Sequence, residues 1–425
     1  MKRSPLLPIF LVVLVDILGF TIVYPLLPYY AEHLGATPLI ATLLVSVYAL
    51  CSLLSTPVIG RLSDQFGRRR LLMISQAGTC AGFIVLAFSN AVWMLFLGRI
   101  LDGLTAGNLS TAQAYISDHT LPENRAKAFG VIGIAFGIGF TFGPGMAGLL
   151  APHGEHLPFV VAACLSVGSM ICTYTLLEPG APARQPGADP AAAPGGKRPG
   201  LFDVATYLDF FKRPAVGATY LQFFMFSFAF SSFMSGFALF AERRFTTSAG
   251  HAWSAHEVGY LFAYSGVLGI ILQGGILGRL VKRFGETKVS LAGFLSVALA
   301  YAQLGFTGTV TLLVLVTTVS AFGNGVLRPV LTSMLTQQVG RHEQGTAIGI
   351  SSSLSSFAMM IAPPVCGALI ENHWLVAWAL VPATTAALGL LVALRSYRPR
   401  EKQSAGGLPT ATARPAEPTS TKPID

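Results

Sequence analysis

The hydrophobic pattern of the chain consists of twelve long apolar runs, separated by charges, Gly/Pro clusters or short polar turns. Most runs hold about 20 residues or more, the length that an α-helix needs to cross the hydrocarbon core of a bilayer. We therefore predict an all-α integral membrane protein with twelve transmembrane spans. The spans lie at about 6–31, 39–60, 71–89, 92–116, 128–150, 157–177, 214–240, 257–278, 289–307, 309–335, 344–370 and 374–394.

The apolar runs form an internal repeat. The segment GRLSDQFG (60–67) between spans 2 and 3 matches GRLVKRFG (278–285) between spans 8 and 9, 218 residues further along the chain. Pro144 in span 5 has a counterpart in Pro363 of span 11, at an offset of 219. Two six-helix repeats are the arrangement that lets one bundle rock against the other around a central site. We predict bundles at 1–177 and 214–394.

Composition and charge support a membrane protein and give its orientation. Of the 425 residues 52% are hydrophobic and only 11% are charged, against roughly 25% charged in a typical soluble domain. Twelve spans place both termini on one side of the membrane, and 24 of the 28 basic residues lie on that side. Cytoplasmic flanks of membrane proteins carry such an excess of basic residues. We expect a multi-pass protein of the cell (inner) membrane with both termini cytoplasmic. The net charge of +9 is thus explained by the basic residues on the cytoplasmic side and does not indicate nucleic-acid binding.

Two segments lie outside the predicted bundles. Residues 178–200 hold six prolines and five glycines, a composition that cannot pack a core. They predict a cytoplasmic linker over 178–213, which ends in a short interfacial helix at 201–211. The polar tail over 395–425 is predicted to be disordered and cytoplasmic.

The segment GRLSDQFGRRR (60–70) resembles the loop signature of the major facilitator superfamily, and the resemblance covers about residues 6–395. It implies the major facilitator fold and a conformational latch on the cytoplasmic side, in which Asp64 pairs with a basic neighbour such as Arg125 and faces a helix N-terminus. In the alternative interpretation the arginines only anchor the chain on the positive side. The latch candidates are Gly60, Asp64, Gly67, Arg68, Arg69 and Arg125.

Within that superfamily the chain most resembles the drug/proton antiporters, and among them the tetracycline efflux proteins. The resemblance is carried by SDQFGRRRLL, by LAFSNAVWMLFLGRILDGLTAG and by residues 126–148. In span 5, GFTFGPGMAG (139–148) resembles the antiporter motif, with Ala147 in place of a usual glycine, and implies export. Small residues four apart allow close helix contact, and a proline bends the helix. The motif residues are Gly139, Gly143, Pro144 and Gly148.

Three charged residues inside the first bundle are candidates for proton coupling. Asp16 lies in span 1, where an ionised carboxylate costs about 2.5–3.5 kcal/mol on insertion scales. Reversible protonation would account for its presence, and the alternative is a structural carboxylate bonded to a neighbouring helix. Arg99 and Asp102 are three apart and share a helix face. Either they neutralise each other, or Arg99 shifts between Asp102 and Asp16 and couples proton flux to the conformational change.

Span 7 is rich in aromatic side chains, which suit stacking against an amphiphilic compound or packing against lipid and neighbouring helices. In span 10, Asn324, Arg328 and Thr332 are spaced by four and share a stripe. Arg328 either serves the substrate or extends towards the cytoplasmic side. The candidate substrate-binding residues are Tyr220, Gln222, Phe223, Phe226, Phe230, Gln273, Asn324 and Arg328.

Two departures from the tetracycline exporters bear on the substrate. Those proteins carry further carboxylates in spans 3 and 9, where this chain has Gly82 and Val297, so tetracycline itself is not assigned. We predict a proton-coupled antiporter that exports a small amphiphilic drug-like compound as a monomer. It is not an enzyme, and it uses the proton gradient without a cofactor or a metal site. A proton-coupled importer of a small metabolite and a membrane sensor or lipid-handling scaffold are the alternatives.

Overall fold

The computed structural model of the chain describes residues 6–119, 125–177, 204–340 and 343–396. Within these ranges, ten helical stretches are long and apolar enough to cross a membrane. The other two predicted spans, the fourth and the fifth, are also helical. The all-α prediction and the twelve spans are therefore confirmed.

Over its described residues, 6–119 and 125–177, the first bundle contains eight α-helices. Pro25 lies where span 1 is interrupted, because proline has no N–H to donate to the preceding turn. Span 4 is interrupted at residues 105–107. The helices are α1 (Leu6–Val23), α2 (Leu27–His33), α3 (Pro38–Phe66), α4 (Arg68–Ala87), α5 (Val92–Leu104), α6 (Asn108–His119), α7 (Arg125–Leu150) and α8 (Leu157–Leu176).

A short helix precedes the second bundle near the predicted place, and the bundle itself contains seven α-helices. Span 8 includes a π-helical segment over Leu272–Ile276, a form that is often found at functional sites. The helices are α9 (Val204–Lys212), α10 (Pro214–Arg244), α11 (Ala255–Ile271), α12 (Leu277–Phe284), α13 (Glu286–Leu304), α14 (Val310–Gln338), α15 (Gln344–Glu371) and α16 (Leu375–Ser396). The linker and tail predicted over 178–203 and 397–425 lie outside the described residues.

The junction between spans 2 and 3 is shorter than the sequence pattern predicts. The pattern ends one span at residue 60 and starts the next at 71, but α3 continues to Phe66 and α4 begins at Arg68. Gly67 alone makes the turn, with a φ of 94° that a residue without Cβ adopts at little cost. Gly285, 218 residues later, has a φ of 80°. The two repeats thus share a backbone feature as well as a sequence.

The two bundles pack against each other through α3 on α15 and α7 on α11. We call the side where α1 begins and α16 ends the terminal face, and the other side the opposite face. Near the opposite face, Gly148 of α7 packs directly on the backbone of Gly259 of α11. Glycines at such a crossing bring two helix backbones together. Any rocking of the bundles must separate or tilt this contact.

At the terminal face, the short helix α9 is tied to the second bundle by an ion pair. Arg213, which follows α9, donates to both carboxylate oxygens of Glu343 at 2.9 Å. It also donates to Asp209 at 3.0 Å. These hydrogen bonds from Arg213 lower the pKa of Glu343 and raise the pKa of Arg213.

We expect the tether of α9 to be fully present at neutral pH. A carboxylate with a lowered folded-state pKa stabilises above its ordinary pKa of about 4.3, and this stabilisation disappears as the pH falls through the lowered value. At neutral pH, Glu343→Gln should mimic that loss and speed amide hydrogen exchange across 204–212. Asp209→Asn is the matched control, because Asp209 pairs with Arg213 one helical turn away. Equal exchange in the wild type and Glu343→Gln would contradict this role.

Candidate functional site

Asp16 of α1 faces a neighbouring helix of its own bundle. The Nδ2 atom of Asn108 donates a hydrogen bond of 2.6 Å to Oδ1 of Asp16. Asn108 is the first residue of α6, directly after the interruption of span 4. The interruption therefore places an amide beside the carboxylate in the middle of the bundle. Nothing in the sequence pattern singles out Asn108 as this partner.

Arg99 and Asp102 form a buried ion pair on α5. Their Nη1 and Oδ2 atoms are 3.2 Å apart, and the side chains are 3% and 4% exposed. The Arg99 guanidinium also lies over the ring of Tyr48 in α3, 4.3 Å from its centre. In this conformation Arg99 is paired with Asp102, and its predicted shift towards Asp16 stays a prediction.

The structure gives a steric reason for the missing carboxylate of span 3. A Cβ atom at Gly82 would lie 2.8 Å from the carbonyl oxygen of Gly98 and 2.9 Å from Cβ of Asp102. No side chain fits there without moving α4 away from α5. In span 9, Val297 is buried and packs against Gly323 of α14. Both departures are therefore built into the helix packing.

A series of aromatic rings in edge-on and tilted contacts connects the two bundles, and we call it the aromatic bridge. The ring of Phe20, one helical turn after Asp16 on α1, lies 5.5 Å from Tyr48 and 6.4 Å from Phe140 of α7. Phe140 lies 5.5 Å from Phe230 of α10, in the other bundle. These spacings are typical of favourable aromatic pairs. The bridge thus runs from Phe20, one helical turn from Asp16, to the predicted substrate residue Phe230.

Arg328 of α14 reaches the same bridge from the second bundle. Its guanidinium carbon lies 5.5 Å from the centre of the Phe140 ring, close enough for a cation–π contact. The guanidinium of Arg328 therefore points into the space between the bundles. Thr332 donates to the carbonyl oxygen of Arg328 at 2.8 Å.

The other predicted residues of the second bundle are placed within that bundle. Asn324 exchanges hydrogen bonds with Tyr301 at 3.1 and 3.3 Å. Gln273 lies in the π-helical segment and donates to the carbonyl oxygen of Gly325 at 3.5 Å. Their part in substrate binding stays a prediction.

The aromatic residues of span 7 separate into two groups. Phe226 stacks on Phe230 at 5.9 Å and extends the aromatic bridge, while Gln222 and Phe223 are buried nearby on α10. Tyr220 lies closer to the terminal face, where its hydroxyl donates to the carbonyl oxygen of Ala347 at 3.2 Å. Of these residues, Phe226 and Phe230 are the ones that the described ring contacts join to the bridge.

The glycines of α7 face two different helices. Gly139 and Gly143 pack against α1, at Ile17 and Thr21. The Thr21 hydroxyl donates to the carbonyl oxygen of Gly139 at 2.9 Å. Gly148, beyond the internal Pro144, packs on α11 of the other bundle. The first part of the predicted antiporter motif therefore packs against α1, the helix that carries Asp16. Its last glycine packs against the second bundle.

Around Gly60 and Gly67, the predicted latch residues make contacts within the first bundle. Asp64 pairs with Arg68, four residues later, and Arg68 also donates to Ser63. Arg69 lies over the ring of Tyr174 in α8, 4.8 Å from its centre. The side chain of Arg125, the predicted partner of Asp64, lies outside the described residues.

Near the opposite face, polar contacts between described residues join the bundles, and the sequence pattern does not predict them. The Tyr24 hydroxyl lies 3.1 Å from the Ser231 hydroxyl of α10. Further out, Glu32 of α2 accepts two hydrogen bonds from Arg243 of α10, at 2.6 and 3.1 Å. The backbone N–H of Leu39 donates to Glu371 of α15 at 3.1 Å.

Comparison with known sequences identifies the relatives of the chain. The family model described as Major Facilitator Superfamily matches residues 9–250 and 215–423. The tetracycline resistance protein of class B from Escherichia coli is 31% identical over 377 residues, which are 86% of this chain and 88% of that protein. Multidrug resistance protein 1 of Bacillus subtilis is 28% identical over 83% of this chain and 86% of that protein.

Solved structures show the same fold. The human organic anion transporter MFSD10 aligns with a TM-score of 0.68 at 23% identity, over 93% of this chain and 99% of that one. The nucleoside transporter NupG aligns with a TM-score of 0.71 at 14% identity, over 93% and 100% of the two chains. The fold predicted from the two repeats is therefore confirmed.

Proposed function

The chain belongs to the major facilitator superfamily, and we propose that it exports a small amphiphilic drug-like compound in exchange for protons. Its relatives indicate a transporter rather than an enzyme. The observation that carries the proposal is the position of Asp16, beside an aromatic bridge that both bundles share. A carboxylate and a group of aromatic rings suit a compound with an apolar body and a polar group.

Proton exchange requires that the proton and the compound use the site in turn. Asp16 can hold a proton or, when ionised, can accept a hydrogen bond or a positive charge from a compound stacked on Phe20 and Phe140. Binding of either ligand then opposes binding of the other, because they compete for one carboxylate. Competition of this kind couples the two flows without any cofactor. The relevant ligands are the compound and the proton, and one chain in the bilayer provides the whole site.

Alternating access follows from the packing of the bundles. The contact of Gly148 with Gly259 and the pair of Glu32 with Arg243 hold the bundles together near the opposite face. Breaking these contacts while the bundles rock would open that face. The excess of basic residues at the terminal face supports a cytoplasmic position for that face. The compound would then enter from the cytoplasm or the inner leaflet and leave on the other side.

The test combines cells and vesicles. Cells that carry the gene should survive higher concentrations of some compounds in a susceptibility panel that includes tetracycline, basic dyes and acidic amphiphiles. Everted vesicles should then release protons from an acidified lumen when a protective compound is added, and vesicles without the protein are the control. Accumulation of a compound by intact cells, with protons moving in the same direction, would instead identify an importer.

A further inference from the structure

The opposite face contains a charge imbalance that the transport site does not explain. Arg243 donates to both carboxylate oxygens of Glu32 across the bundle interface. The adjacent residue Glu242 points its Oε2 atom at the same guanidinium, 3.7 Å from Nη1 of Arg243. That oxygen is buried and makes no hydrogen bond to the described residues. The carboxylates of Glu32 and Glu242 thus share the guanidinium of Arg243. Only the carboxylate of Glu32 belongs to the ion pair that joins the two bundles.

We propose that Glu242 is a proton-binding residue of the opposite face, whose protonation tightens the Glu32–Arg243 pair and closes that face. When Glu242 is neutral, one arginine faces one carboxylate and the pair is electrically balanced. When Glu242 is ionised, it competes with Glu32 for Arg243 from the same helix. It also repels Glu32 across the interface, because two ionised carboxylates that contact one guanidinium disfavour each other. The bundles then separate more easily at this face.

Other charged groups around Glu242 do not remove the imbalance. On α2, His33 is paired with Glu155 of the same bundle at 2.5 Å. At the start of α11, Glu257 forms a capping box with Ser254. The Oε1 atom of Glu257 lies 4.0 Å from Nδ1 of His256.

The remaining groups are already bonded elsewhere. Arg244 donates to the carbonyl oxygen of Thr307. His156 forms a hydrogen bond with the Tyr30 hydroxyl, and Glu371 accepts a hydrogen bond from the backbone N–H of Leu39. The nearby side chain of Tyr29 carries no charge at neutral pH. Arg243 is therefore the cation that Glu32 and Glu242 share.

The inference rests on the proposed exchange and gives it a direction. A proton that arrives from outside while the opposite face is open would neutralise Glu242 and favour closure. Proton uptake would thus drive the return of the empty carrier to the state that faces the cytoplasm. The expected consequence is that the opposite face is more often closed at low pH, whether or not a compound is present.

The experiment measures closure directly. Spin labels are attached at Asn90 and Ser248, two exposed positions of the opposite face on different bundles, after the five native cysteines have been replaced. The distance between the labels is measured in lipid nanodiscs between about pH 8 and about pH 5. In the otherwise unsubstituted chain we expect the short-distance population to grow as the pH falls. We expect Glu242→Gln to show the short distance, and Glu32→Gln the long distance, at every pH.

Control variants separate this inference from the proposed function. Glu155→Gln removes a carboxylate of the same face that pairs within one bundle, and it should leave the pH response unchanged. Asp16→Asn should also keep the response, since the distance does not depend on proton exchange at the transport site. An unchanged distance distribution across the pH range, or a full response in Glu242→Gln, would overturn the inference. If Glu242→Gln yields little folded protein, Glu242→Asp should retain a response, and an unresponsive Glu242→Asp would count against it.

Discussion

Asp16→Asn protein should lose compound-driven proton release completely, down to the signal of vesicles without the protein. Asparagine cannot take up a proton at neutral pH, but its Oδ1 atom can still accept the hydrogen bond from Asn108, which is 2.6 Å in the wild type. The substitution therefore removes the proton site and keeps the volume and the local contact. It also removes a group whose ionised form costs about 2.5–3.5 kcal/mol in the bilayer, so the variant should fold at least as well.

Counterflow separates proton coupling from a general loss of activity. Vesicles loaded with unlabelled compound should still exchange it for labelled compound through Asp16→Asn protein, because the Oδ1 atom of asparagine can still accept a hydrogen bond from the compound and this exchange needs no net proton movement. Glu155→Gln is the matched control, since it neutralises a carboxylate that pairs with His33 at the opposite face. That control should keep proton release at the wild-type level. Normal proton release by Asp16→Asn would exclude Asp16 as the proton carrier.

The fold was predictable because the bilayer imposes one length on every span. A run of about 20 apolar residues identifies a crossing helix regardless of its neighbours, and this gave all twelve spans. The sequence pattern does not predict the single-glycine turn at Gly67, because the charged residues of 61–70 are typical of a loop between two spans. In the structure those charges lie on the last two turns of α3 and the first turn of α4.

The candidate site was predictable only in part, for a related physical reason. Asp16, Arg99 and Asp102 stand out because charges inside a membrane are costly. Their partners Asn108 and Tyr48 do not stand out in the same way, since both side chains are uncharged. Which of them meets a charge depends on how the helices pack and where span 4 is interrupted.

The cross-bundle pair of Glu32 with Arg243 illustrates the same limit at the membrane surface. Charges at the ends of spans are ordinary, so neither residue is conspicuous in the sequence. The two residues are 211 positions apart and belong to different repeats. Only the packing of α2 on α10 brings them together, and a pattern read along one chain carries no information on that packing.

Arg99→Met should be the most destabilising of the substitutions considered, by about 3–5 kcal/mol, because it leaves the buried carboxylate of Asp102 without its partner. The double variant Arg99→Met/Asp102→Asn removes both charges at nearly constant volume. We expect it to recover most of the lost stability, since replacing a whole buried pair is often close to neutral. Thermal unfolding in detergent, followed by size-exclusion chromatography, measures both effects. A single variant as stable as the wild type would show that Asp102 does not depend on Arg99.

The same double variant decides between the two roles of the pair. If Arg99 and Asp102 only neutralise each other, the double variant folds and couples protons like the wild type. If Arg99 moves between Asp102 and Asp16, the double variant folds and keeps counterflow but loses compound-driven proton release. We expect the second result, because Arg99 lies over the Tyr48 ring at 4.3 Å and the Tyr48 ring contacts Phe20, one turn from Asp16. A compound that displaces these rings would act on the guanidinium and on the proton site in one movement.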